Sequence, residues 1–194
     1  MCGIVGGVTN SNITPLLIKG LNKLEYRGYD SSGLIVLSNQ NTFDRARSVG
    51  KVKNLEKNLN DRTKKITGKI GIAHTRWATH GEPSSLNAHP HISKNSVSVV
   101  HNGIIENYIE LKNNQINQGY EFTSDTDTEV IAHAVDSQMN SSKTLIESVQ
   151  KAIKSFEGSY GLGIISSNYP DQVIATRKGS PLVIGIGENG NYIA

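Results

Sequence analysis

Cys2-Gly3-Ile4-Val5-Gly6-Gly7-Val8 opens the sequence, with β-branched residues and small ones interleaved. Such a run reads as a strand buried on both faces. Immediately beyond it, Thr14-Pro15 supplies an N-cap and a first-turn proline. Leu16, Leu17, Leu21 and Leu24 then recur at helical spacing, which predicts a helix to about Glu25. Residues 26–33 read as a loop and 34–37 as a strand. A weak strand near 43–49 and a short helix near 52–59 follow. Lys69-Ile70-Gly71-Ile72-Ala73 and Ser96-Val97-Ser98-Val99-Val100 read as further strands on either side of a polar loop. A helix over 105–118 is closed by Gly119. Thr126 with Glu129 has the capping-box spacing and opens a second helix through Met139. A third helix covers about 142–156, with Leu145, Ile146, Val149, Ala152, Ile153 and Phe156 on one stripe. Short strands near 160–166, 172–177 and 181–186 complete the pattern. Strands, then helices, then strands again predict an α+β layered domain rather than a doubly wound parallel sheet.

The chain has 194 residues, the size of one ordinary domain, and 36% of them are hydrophobic, enough for a packed core. Its 20 Lys and Arg against 17 Asp and Glu leave a net charge of only +3, with no run of like charges. A nucleic-acid-binding stripe is therefore not expected. No apolar stretch approaches the ~18 residues of a membrane span, and there is no basic-then-apolar leader. One cysteine cannot form an internal disulfide, so a reducing cytoplasm is the expected compartment. Residues 191–194 read as the opening of a further strand. The expectation is a single domain over 1–194, truncated at its C-terminal end.

That single cysteine stands at position 2. It reads either as a small buried hydrophobe or as a nucleophile. If Met1 is removed, Cys2 carries a thiol and a free α-amine together, and an amine with a pKa of about 7.7–8.0 is a well-tuned base at neutral pH. Asn102-Gly103, directly after a strand, reads as a turn or as an oxyanion hole, since an Asn N–H and an unhindered Gly N–H can converge on developing negative charge. His74-Thr75-Arg76-Trp77-Ala78-Thr79-His80-Gly81 gathers chemically capable side chains at the start of one loop, with Arg76 suited to a carboxylate and Trp77 to a lid. Asp127 reads as a helix N-terminal charge or as a partner for a substrate ammonium.

Five of the six histidines lie between 74 and 101. There is no H-E-x-x-H or C-x-x-C, so no metal site is expected, and these histidines read as polar loop residues. Gly185-Ile186-Gly187-Glu188-Asn189-Gly190 matches a dinucleotide fingerprint but has no room for the helix and acidic residue that must follow, so it reads as a hairpin turn.

Taken in order, Cys2-Gly3-Ile4-Val5-Gly6, Leu24-Glu25-Tyr26-Arg27-Gly28-Tyr29-Asp30-Ser31, the 74–81 stretch, His101-Asn102-Gly103-Ile104-Ile105-Glu106-Asn107 and Thr126-Asp127-Thr128-Glu129 resemble the class II glutamine amidotransferase domain, an N-terminal-nucleophile hydrolase. The resemblance covers essentially the whole chain. The 24–31 loop sets it apart from the amidophosphoribosyltransferase and asparagine synthetase branches, and Ser32 stands where the family usually has alanine. The resemblance implies a four-layer αββα sandwich of two antiparallel sheets. It implies that Cys2 is the mature N-terminus and the nucleophile, that Asn102 and Gly103 form the oxyanion hole, and that Arg27 helps order the nucleophile. Arg76, Thr79 and His80 would take the α-carboxylate of L-glutamine, Asp127 its α-ammonium, and Trp77 would close over it. No cofactor is implied. The parent enzyme, expected as a homodimer, would carry the released ammonia to a sugar-phosphate isomerase domain that converts fructose 6-phosphate to glucosamine 6-phosphate. An amidophosphoribosyltransferase-like parent and a non-catalytic glutamine-binding module are the alternatives.

Overall fold

The computed structural model describes residues 2–78 and 80–194. The run that opens the sequence forms strand β1 (Gly3–Thr9), and the leucine-spaced segment forms helix α1 (Thr14–Leu24). Pro15 sits in the first turn of α1 as expected, but Ile13 occupies the N-cap and no side chain caps it. The Thr14 hydroxyl instead donates to the Ile66 carbonyl at 2.9 Å, fastening the helix to the loop ahead of the next strand. The remaining elements of the first half are β2 (Ser31–Leu37), β3 (Phe43–Val49), α2 (Val52–Asn60) and β4 (Ile70–Arg76). The second half contains β5 (His91–Ser93), β6 (Val97–Ile105), α3 (Tyr108–Asn117), α4 (Glu129–Met139), α5 (Leu145–Ala152), β7 (Gly158–Ser166), β8 (Tyr169–Lys178), β9 (Ile184–Gly187) and β10 (Gly190–Ile193).

These strands form two antiparallel sheets, one ordered β3-β2-β4-β1-β10-β9 and the other β5-β6-β7-β8. Side-chain alternation along each strand then dictates the layering. Leu34 and Val36 of β2 pack with Leu17 and Leu21 of α1 and Leu55 of α2. Their neighbours Ile35 and Leu37 point the other way, meeting Val100 of β6 and Ile165 of β7 between the sheets. On the far side, Val97, Val99, Leu162 and Ile164 pack under Val130, Ile131, Leu145 and Val149 of α4 and α5. The result is helices, sheet, sheet, helices. Each central strand is apolar on both faces because both faces are covered, which explains the continuous β-branched runs. Burying a leucine or isoleucine at such positions stabilises the fold by roughly 1.5–3 kcal/mol each.

Several sequence expectations need correction. The helix expected from 105 starts only at Tyr108, because Ile104 and Ile105 continue β6. Gly119, at φ 85°, follows the helix where a left-handed residue was expected. Thr126 does not cap α4: the N-cap is Thr128, and no side chain caps it. Glu129 is buried and reaches back to accept from the backbone N–H groups of Thr123 and Ser124 and from both hydroxyls, binding the preceding loop rather than closing a capping box. The third helix is shorter than expected, with a genuine cap: the Thr144 side chain accepts from the Glu147 N–H at 3.2 Å. The glycine-rich stretch at 185–190 is the turn of the β9–β10 hairpin, with Gly187 opposite Gly190.

Candidate active site

The polar motifs meet because of where two strands end. β4 runs on past the apolar residues to Arg76, so His74, Thr75 and Arg76 lie on a strand and not at the start of a loop. β4 pairs β1 with Gly3 opposite Thr75 and Ile4 opposite His74, which brings Cys2 beside the chain leaving β4. The Trp77 N–H donates to the Cys2 sulfur at 3.1 Å, and the thiol lies 3.5 Å from the Trp77 carbonyl. Likewise β6 runs through Asn102 and Gly103, which pair Gly161 and Tyr160 of β7. The Asn-Gly pair is thus mid-strand and not a turn. Gly103 has φ 136°, and a Cβ there would fall 2.1 Å from the Ser159 carbonyl. Glycine is demanded by the approach of β7 and by the backbone itself, beyond any need to leave room for a substrate.

Asn102 sits across the sheet interface from Cys2. Its Nδ2 donates to the Cys2 carbonyl at 3.4 Å, and its Oδ1 lies 2.9 Å from His74 Nε2. A cavity of about 610 Å³ opens here, and Cys2, Arg27, Arg76, Trp77, His80, Asn102, Gly103 and Asp127 all line it. Arg27 comes from a single 3₁₀ turn, Glu25–Arg27, after α1. Of the candidate residues, Thr79 lies outside the described residues, as does Met1.

Charge in the cavity is concentrated in two places. Arg76 is 3% exposed, yet its guanidinium is well supplied with partners. It donates to the carbonyls of Glu82 at 3.3 Å, Gly81 at 3.0 Å and His80, and lies 3.7 Å from the Asp30 carboxylate. Asp30 in turn accepts from the Ser31 hydroxyl at 2.7 Å and from the Ala78 N–H. Asp30 belongs to the 24–31 motif without standing out as a site residue; only its acidic character in a glycine-containing loop marks it in the sequence. Asp127, the second centre, is also buried. One carboxylate oxygen accepts from the Ile105 N–H at 2.8 Å, and the other lies 4.0 Å from His80 Nδ1. Asp127 therefore completes the end of β6 and does not act as a cap for α4. Trp77 is half exposed over the cavity, its ring edge-on to Tyr29 with centroids 6.5 Å apart.

The histidines are the largest correction. His74, His89, His91 and His101 are buried between the layers, not polar loop residues. The rings of His74 and His89 stand 4.1 Å apart, and those of His89 and His91 4.8 Å. The Thr128 hydroxyl joins His89 Nε2 at 2.8 Å to His101 Nδ1 at 3.0 Å. Burial pushes all four well toward the neutral form, and His74 down to about 3. Among the described residues no cluster of three or more His, Cys, Asp or Glu could hold a metal ion. Burial also raises the Cys2 thiol above its usual range, and the Trp77 N–H offsets this only in part. A protonated thiol of this kind needs a base before it can attack. No described helix is long and apolar enough to cross a membrane.

Comparison with known proteins bears on the family and the fold. The glutamine amidotransferase domain family matches residues 74–193. Over 194 residues the chain is 55% identical to the glutamine–fructose-6-phosphate aminotransferase (isomerizing) of Acinetobacter baylyi, covering all of this chain and 31% of that protein. The enzyme of the same name from Buchnera aphidicola subsp. Acyrthosiphon pisum is also 55% identical, over 195 residues and 32% of its length. The chain thus spans about a third of the length of these relatives. Among solved structures, the glutamine phosphoribosylpyrophosphate amidotransferase of Bacillus subtilis superposes with a TM-score of 0.82 at 23% identity, over 100% of this chain and 41% of that one. A glutamine aminotransferase class-II domain protein from Silicibacter pomeroyi superposes at 0.64 with 11% identity, over 100% of this chain and 87% of that one. Those two likenesses bear on the fold, which is that of the N-terminal-nucleophile amidotransferases. With more than half its length matched by the family, the chain belongs to the glutamine amidotransferase domain family.

Proposed function

We propose that the chain hydrolyses the side-chain amide of L-glutamine to glutamate and ammonia through a thioester on Cys2. The observation that carries this reading is the placement of the chain's single cysteine, with the Asn102 amide at 3.4 Å from its carbonyl, in a cavity that also holds one buried cation and one buried carboxylate. Arg76 takes the α-carboxylate with help from Thr79 and His80, and Asp127 takes the α-ammonium through the oxygen that faces His80. The two charges fix the amino-acid end of the substrate, and the side-chain amide is left to reach the thiol. Trp77 closes the mouth, and Arg27 helps order the nucleophile.

Removal of Met1 frees the Cys2 α-amine, which accepts the thiol proton, directly or through a water. Sulfur then bonds to the amide carbon, and the carbonyl oxygen becomes an oxyanion held by the Asn102 side chain and the Gly103 N–H. The protonated amine returns its proton to the leaving nitrogen, the C–N bond breaks, and ammonia departs. A water then adds to the thioester, releases glutamate and restores the thiol. Every proton is handled by one amine, and this route needs neither metal nor organic cofactor.

The relatives' name extends the reading. In the full-length, homodimeric parent the ammonia passes to a sugar-phosphate isomerase domain and converts fructose 6-phosphate to glucosamine 6-phosphate in the cytoplasm. Supplying the full-length protein with fructose 6-phosphate or with phosphoribosyl pyrophosphate separates this parent from an amidophosphoribosyltransferase, and only the first should consume ammonia. For the domain itself, Cys2→Ala abolishes glutamate formation, and Asn102→Ala lowers kcat by about 10²–10³. Glutaminase activity that survives in Cys2→Ala overturns the mechanism. Calorimetric binding of glutamine with no glutamate formed would favour a non-catalytic binding module.

A further inference from the structure

An asparagine serves as an oxyanion donor only if its amide faces the right way. The two ends of the group are nearly equal in size, and nothing in Asn102 itself prevents a flip that would aim the carbonyl at the oxyanion. On the cavity side, Nδ2 lies 3.4 Å from the Cys2 carbonyl, a contact that only the N–H end makes favourably. On the other side, Oδ1 meets His74 Nε2 at 2.9 Å. We propose that His74 is the positioning residue of the oxyanion hole: its Nε2–H holds the Asn102 carbonyl so that the amide N–H group stays turned toward Cys2. This rests on the oxyanion role proposed above for Asn102.

The chemistry of the imidazole fits the task. Asn102 Oδ1 can only accept, so Nε2 must carry the proton. A neutral imidazole has one N–H, which leaves Nδ1 as a bare acceptor, and Nδ1 has no hydrogen-bond partner among the described residues. An unpaired buried acceptor is cheaper than an unpaired buried N–H. The ring is 1% exposed and stacked on His89, and burial keeps it neutral. The bond to the Asn102 carbonyl selects the tautomer with the proton on Nε2, and burial against the His89 ring holds the orientation. His74 sits on β4 opposite Ile4, one residue pair from the strand end that carries Cys2, so the same strand pairing sets the nucleophile and the donor's support. His74 does not line the cavity, so it acts through Asn102.

The test compares His74→Ala, His74→Gln and His74→Asn in the protein. The terminal nitrogen of glutamine overlays imidazole Nε2, whereas that of asparagine overlays Nδ1, so only glutamine can still donate to Asn102. His74→Ala and His74→Asn should lower glutaminase kcat by about 10- to 100-fold, less than loss of the donor itself, with KM within about threefold. His74→Gln should recover most of the loss. Affinity for the γ-aldehyde analogue of glutamate, which forms a tetrahedral adduct with the thiol, should fall in parallel with kcat, while the rate of Cys2 alkylation by iodoacetamide stays the same. In an Asn102→Ala background, His74→Ala should add no further loss. Equal activity of the Gln and Asn variants, or an unchanged kcat in His74→Ala, overturns the positioning role. If Asn102→Ala itself costs nothing, the oxyanion reading fails first and this proposal falls with it.

Discussion

Lowering the pH from 6 to 5 should unfold this protein far more steeply than its carboxylates can explain. An exposed imidazole with a pKa of about 6.5 is already about three-quarters protonated at pH 6 and nearly fully so at pH 5. In the folded chain His74, His89 and His91 stay neutral across that interval, because burial, aided by neighbouring imidazoles and cations and opposed at His74 by the bond to Asn102, holds them well below it. The unfolded chain therefore binds protons that the native state does not. The sign follows: stability is complete above the unfolded pKa and is lost as pH falls below it. Each such site removes about 1.4 kcal/mol per pH unit, so three of them remove about 4 kcal/mol between pH 6 and 5. His101, lowered for the same reason, acts in the same direction. Against a total stability of roughly 5–15 kcal/mol this loss is large. Urea denaturation at half-unit steps from pH 7.5 to 5 reads it directly, as a midpoint that is flat above about pH 7 and falls sharply below 6.5. Most carboxylates titrate near 4 and leave this window clear. A slope of one proton or fewer between pH 6 and 5 would mean that the native state takes up these protons, and the neutral buried cluster would be wrong.

Two further outcomes follow from packing. Gly103→Ala forces a side chain onto the Ser159 carbonyl at a φ of 136°, so β6 and β7 must separate locally. A loss of at least 1–3 kcal/mol in denaturant unfolding, together with loss of glutaminase activity, is expected. Leu17→Ala, in the fully buried layer between α1 and the six-stranded sheet, should cost about 2–5 kcal/mol while the kcat of the folded fraction is unchanged.

What the sequence made legible was the layering. Residues 34–37 are apolar at every position and 97–100 are interrupted only by Ser98, and a strand of that kind has to be covered on both faces. The candidate residues were legible as a group too, and the fold gathers all of them that are described around one cavity. What hydropathy could not mark was where β4 and β6 end. His74, Thr75 and Arg76 break the apolar pattern, as do Asn102 and Gly103, yet all five are strand residues because β1, β2 and β7 pair with them. A strand that carries a site looks like a loop in hydropathy, since pairing partners distant in sequence decide its extent. The histidines failed for a related reason: polar residues are expected outside, and it is ring contacts among His74, His89 and His91, the Thr128 hydroxyl shared by His89 and His101, and the bonds of His74 to Asn102 and of His91 to Thr126 that make them tolerable inside. Glu129 imitated a capping box because the spacing fits, but its carboxylate found better donors at Thr123 and Ser124.

The central claim is that the Cys2 thiol, freed from Met1 and served by its own α-amine, attacks the glutamine amide. Intact-mass and peptide mass spectrometry after treatment with a diazoketone analogue of glutamine tests it most directly. The account predicts one adduct per chain, on the sulfur of an N-terminal cysteine, blocked by excess glutamine. A protein that releases ammonia at full rate with Met1 still attached, or an adduct on any residue other than Cys2, would contradict it.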